Sequence, residues 1–111
     1  MDDKTQKIAA LNDGLRTSFD LSKGQIYLTR GVADLPAGVR SKIIDLVRTF
    51  NQFTEDNDPY QEHDFGKVSH NGQDVFFKID YYDPQLEYHS EDAADLEKTV
   101  RVMTIMLASE Y

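Results

Sequence analysis

The sequence predicts an α+β fold, one small domain over residues 1–111 in which α-β-α is followed by three antiparallel strands, a single sheet covered by two helices. Three observations predict it. Ile8, Leu11, Leu15 and Phe19, and again Val39, Ile43, Leu46/Val47 and Phe50, recur at helical spacing. Asn71-Gly72 stands between two strand-like runs, the pattern of a two-residue hairpin. No linker, repeat or low-complexity stretch divides the 111 residues, of which 40% are hydrophobic, enough for one core.

Residues 5–19 form the first amphipathic helix, weakened by Gly14 and ended before Gly24. Ile26-Tyr27-Leu28-Thr29, β-branched and aromatic between Gly24 and Gly31, reads as a strand. After Pro36 the second helix covers about residues 37–51. The segment 54–62 is a polar loop broken by Asn, Asp and Pro. The hairpin follows, and a type I′ turn at Asn71-Gly72 sets its register. Val68 then faces Val75, Phe65 faces Lys78 and, if pairing continues, His63 faces Asp80. Val75, Phe77, Ile79 and Tyr81 alternate onto the core face. Residues 83–97 are an irregular acidic connection opened by Pro84, and the β-branched run 99–107 ends the fold as a strand.

Composition removes several function classes. There is no Cys, so disulfides, thiolate zinc sites and Cys nucleophiles are out. No apolar run reaches membrane-spanning length, and the start, Met1-Asp2-Asp3-Lys4, has no apolar signal segment, so no membrane and a cytoplasmic location are expected. The six glycines are isolated, so no GxGxxG or P-loop exists; neither GxSxG nor HExxH occurs, and no cofactor is implied. An EF-hand begun at Asp56 would place Gln61 where Gly is needed and Lys67 where the bidentate Glu belongs, and no metal site is expected.

The net charge of −8 argues against direct nucleic-acid binding. Its distribution is uneven: residues 1–50 carry eight basic and six acidic side chains, residues 51–111 four and fourteen. Glu55, Asp56, Asp58, Glu62 and Asp64 fill one segment without Lys or Arg, and Asp80, Asp83, Glu87, Glu91, Asp92, Asp95 and Glu97 fill another. Such segments are either a solvated surface that keeps the chain soluble or a focused field that attracts a basic partner. Tyr60, Tyr81, Tyr82, Tyr88 and Tyr111 lie in the same half, and tyrosine suits interfaces. The chemical alternative is an acid–base site of His63 with Asp80 and Glu62, since a carboxylate orients an imidazole; the same His–Asp pair can equally tie a loop to a strand.

Leu11-Asn12-Asp13 with Leu15-Arg16, Leu28-Thr29-Arg30-Gly31-Val32, Asp56-Asn57-Asp58-Pro59-Tyr60, Glu62-His63-Asp64-Phe65-Gly66, Lys78 to Asp83 and the ending Arg101-Val102 to Tyr111 together resemble a family of small bacterial proteins of unknown function. That family is common on plasmids, prophages and other mobile elements. Gln61 and Phe77 stand where it commonly has Gly and Trp. The resemblance implies a counter-defence role of the anti-CRISPR or antirestriction type. Joined to the charge pattern, it leads to the expectation of a non-enzymatic inhibitor that binds a host protein complex with a basic nucleic-acid-binding surface, such as a CRISPR effector. The binding carboxylates expected are Glu55, Asp56, Asp58, Glu62, Asp83, Glu87, Glu91, Asp92 and Asp95. A small enzyme and an acidic regulatory module remain the alternatives.

Overall fold

The computed structural model describes residues 2–111. Helix α1 spans Asp3–Ser18, starting two residues before the apolar spacing because the Asp2 carboxylate accepts the Thr5 N–H as an N-cap. Phe19, in the left-handed region at φ 53°, stops it. Strand β1 covers Gln25–Leu28 and helix α3 covers Ala37–Thr49. Between them lies α2, the single turn Arg30–Ala33, which the sequence pattern did not reveal because Gly31 reads as a breaker. A Cβ at position 31 would meet the tips of the Leu107 and Glu110 side chains at 2.6–2.8 Å, so a larger residue there would have to displace both.

Strands β2 (Phe65–His70) and β3 (Gln73–Tyr82) form the hairpin with the predicted register, Val68 against Val75 and Phe65 against Lys78. Asn71 and Gly72 adopt φ of 54° and 78°, as a type I′ turn demands. Strand β4, Val100–Leu107, is antiparallel to β3 and parallel to β1, giving the order β1-β4-β3-β2. Its interior position explains its composition. Paired on both edges, it has no free backbone edge, and Val102, Met103, Ile105 and Met106 are all buried, Met103 and Ile105 on the helix side and Val102 and Met106 on the other.

The two faces of this sheet differ. Val75, Phe77, Ile79 and Tyr81 of β3, with Met103 and Ile105 of β4, join Ile8 and Leu15 of α1 and Ile43 and Val47 of α3 in one core. Gly66 belongs to that packing, since a Cβ there would collide with the Phe77 ring. Phe65, Phe76, Val102 and Met106 point the other way and take no part in the core cluster. The sheet is therefore covered by helices on one side.

Candidate functional site

Helix α1 is the post to which both acidic segments are tied. Consecutive helix residues hold consecutive loop residues. The Asn12 side chain, fully buried, donates to the Glu62 carbonyl at 2.9 Å and to the Tyr81 hydroxyl at 2.8 Å. Asp13 accepts from His63 Nδ1 at 2.9 Å. A carboxylate only accepts, so Nδ1 is the donor of this bond. The chain reaches these positions by leaving extended conformation: Gln61 and His63 lie at φ of 61° and 58°. Gln61 thus occupies the backbone conformation that favours glycine, which gives a physical reason for glycine at that position.

His63 is held on all sides. Its ring stacks on Phe53 with centroids 4.0 Å apart, its backbone N–H donates to the Asp58 carboxylate at 3.1 Å, and Nε2 faces the same carboxylate at 3.8 Å. Asp13 is itself held by Arg16, whose guanidinium donates to it at 2.9 Å. Arg16 also donates to the carbonyls of Val47, Arg48 and Phe50, so one buried cation closes the C-terminus of α3, where the helix dipole favours positive charge. Around His63 the surface forms an open depression of about 360 Å³, lined by Phe53, Thr54, Glu55, Asp58 and Gln61.

The second acidic segment reaches the same post through Arg101. Its Nε donates to Asn12 Oδ1 at 2.8 Å and its Nη2 to the Ala93 carbonyl, while the guanidinium lies over the Tyr81 ring. Lys4 at the start of α1 pairs with Asp92 at 3.3 Å. Tyr81 completes the link by donating to the Glu62 carboxylate at 2.8 Å. Burial lowers the pKa of Arg101 and raises that of the Tyr81 phenol. Burial, reinforced by Glu62 and then by Asp58 and Asp80, pushes Asp64 up to about 6.

The His63–Asp80–Glu62 constellation expected from the hairpin register is not assembled. Strand pairing stops at Phe65, the turn to positive φ at His63 aims its ring at α1, Asp80 pairs with Lys78 at 3.3 Å, and Glu62 serves Tyr81. Asp58, expected among the exposed binding carboxylates, is 4% exposed and organises the loop beneath it. The others separate into two groups. Asp83, Asp92 and Asp95 accept N–H groups of their own segment, from Glu87, Ala94 and Glu97, and Asp92 is kept below the usual carboxylate range by the Ala94 N–H. Glu55, Asp56, Glu87 and Glu91 are exposed, and among the described residues only Glu91 of these four has a cation near it, Lys98 at 3.8 Å.

Sequence reasoning did not single out Asn12, Asp13, Arg16 or Arg101 as a unit. The available signal was Arg16 next to Leu15, a charge beside the apolar stripe of α1, and Arg101 inside the most apolar strand. Among the described residues no three His, Asp or Glu side chains are placed to share a metal ion. A larger cavity, about 460 Å³, lies between α1, the turn before β1 and the start of β4; Leu11, Leu21, Lys23 and Leu96 are among its walls, and it shares no residue with the His63 depression.

Fold and site define a small two-layer α+β protein whose buried polar clamp pins two acidic loops to one helix. Residues 28–110 match the family described as protein of unknown function (DUF3768), and the chain belongs to that family. The matched span includes Asp58, Glu62, His63, Tyr81 and Arg101, while the α1 half of the clamp precedes it. No curated protein and no solved structure matches the chain. Among the described residues no helix is long and apolar enough to cross a membrane.

Proposed function

We propose that this protein is a non-enzymatic binding protein that occupies a basic, nucleic-acid-handling surface of a host protein complex by presenting carboxylates where phosphates would lie. The observation that supports this reading is the tethering of both acidic segments to α1 through Asn12, Asp13 and Arg101. Loops without regular structure ordinarily lose conformational freedom on binding, at a cost that weakens the complex. Here that ordering is supplied by the fold. Glu55, Asp56, Glu87 and Glu91 therefore project as exposed charges from segments whose backbone is tied down, which serves a polyanion mimic better than free loops would. His63 serves this reading as a fastener: its ring addresses carboxylates on both sides, and among the described residues no hydroxyl or thiol is hydrogen-bonded to it. The resemblance to proteins of mobile elements supports a host defence complex, such as a CRISPR effector, as the target.

The test is binding of a purified CRISPR effector complex by the wild-type chain and by the variant Glu55→Lys, Asp56→Lys, Glu87→Lys, Glu91→Lys. These positions spare the carboxylates that cap their own turns, so the fold should survive. Affinity should fall at least tenfold in the variant. It should also fall as salt rises from about 0.05 to 0.5 M, as the Debye length shortens from about 14 Å to about 4 Å. Nucleic acid should compete for the same surface. Unchanged binding in the variant, with loss of activity on His63→Ala alone, would overturn the charge-driven reading in favour of an enzyme.

A further inference from the structure

The side of the sheet away from the helices is a second surface, and its chemistry is unlike the rest of the molecule. Phe65 of β2, Phe76 of β3 and Tyr111 form an aromatic cluster there, with Tyr111 edge-on to both rings at 5.8 and 5.3 Å and yet 72% exposed. Tyr27 of β1, paired with Thr104 of β4, points to the same side and is 53% exposed. Met106 and Val102 lie between these groups, 5% and 9% exposed, so the area open to a partner comes mainly from the aromatic and charged side chains around them. The charged strand side chains of this face are Lys67 and Lys78 with Asp74 and Asp80. This face is thus neutral on a chain of net charge −8, and the whole excess of negative charge lies elsewhere.

We propose that this open face is the interface of a homodimer, two copies packing sheet to sheet about a two-fold axis. Charge selects the occupant. Two copies repel one another across any surface that carries the −8, whereas the neutral face meets itself with Lys and Asp available on both sides for opposite-sign contacts. A basic partner, by contrast, is drawn to the acidic loops tied to α1. Four strands about 4.8 Å apart and about seven residues long at about 3.3 Å each give a footprint of roughly 19 by 23 Å. That is about half of the ~800 Å² per partner of a standard interface, although side-chain relief adds area, so the dimer belongs to the weak, concentration-dependent class. The helices and both acidic loops face away from this axis, so a dimer carries two acidic surfaces on its outer sides. The proposal stands independently of what those surfaces bind.

Sedimentation velocity on the full chain tests it. At about 200 µM a species of about 25 kDa, twice the 12.7 kDa chain, is expected, and its affinity should rise between about 0.05 and 0.5 M salt as the repulsion of like net charges is screened. Lys67→Glu with Lys78→Glu makes the face uniformly acidic, and Asp74→Lys with Asp80→Lys makes it uniformly basic. Each pair should weaken self-association at least tenfold, and an equimolar mixture of the two should restore a heterodimer. A monomer at every concentration and salt, a dimer that persists in either variant, or a mixture that stays monomeric would each overturn the proposal. Binding of a basic partner should respond to salt in the opposite sense, so failure of one reading is distinguishable from failure of the other.

Discussion

Asn12→Ala should release both acidic segments at once, and the size of the effect follows from the contacts. The wild-type side chain makes three hydrogen bonds, two donated to Glu62 and Tyr81 and one accepted from Arg101. The two between neutral groups are worth about 1 kcal/mol each and the charge-assisted one about 1.5–3 kcal/mol. Truncation leaves Arg101 Nε, on a side chain only 2% exposed, without its partner, so the loss should fall near 3–5 kcal/mol. Against a typical total of roughly 5–15 kcal/mol this is a large fraction, equivalent to about 12–20 °C in Tm. Urea denaturation measures the loss. Amide hydrogen exchange under native conditions locates it: residues 53–64 and 89–95 should exchange at least tenfold faster while the β3–β4 ladder keeps its protection relative to the new global stability. Asn12→Asp should not rescue, because it keeps an oxygen for Arg101 but loses both donors and sets a second carboxylate beside Glu62. A loss below about 1 kcal/mol, with unchanged exchange in the two loops, would refute the idea that this residue holds them.

Three further outcomes follow from single features. Asp64, with its pKa raised from 3.8 to about 6, binds its proton more tightly folded than unfolded, so between those pH values stability should fall as pH rises, by about 1 kcal/mol once the screening of a half-solvated carboxylate is allowed for; in Asp64→Asn urea midpoints from pH 4 to 7 should lack this component and the protein should be more stable at pH 7. Gln61→Gly should stabilise by about 0.5–1 kcal/mol in thermal unfolding, since it relieves a left-handed backbone at φ 61° while adding freedom to the unfolded chain; a loss would mean that the Gln61 side chain contributes contacts worth more than the strain. Truncation after Met103 removes half of the strand between β1 and β3 and should abolish cooperative unfolding by circular dichroism, whereas a melt like the full-length protein's would contradict the sheet order.

The features legible in the sequence are local. The Asn71-Gly72 turn specifies its own register because both residues accept positive φ, and alternation along 75–81 specifies which side chains of β3 face the core. Apolar spacing placed α1 and α3 within two residues of their ends, and β-branching along 99–107 made β4 a strand. Features that join residues far apart in the chain come from the assembled fold. Parallel pairing of β1 with β4 joins segments some 77 residues apart, and no local pattern encodes it. His63 illustrates the limit most clearly: extending the hairpin would set it against Asp80, but two left-handed residues turn it out of the strand, and its partner became Asp13, 50 positions earlier on a helix. Whether a carboxylate is a surface charge or a buried fastener depends on the same long-range placement, which is why Asp58 and Asp56, two residues apart in one acidic segment, ended in opposite environments. Burial is a property of the assembled fold, and only the fold assigns it.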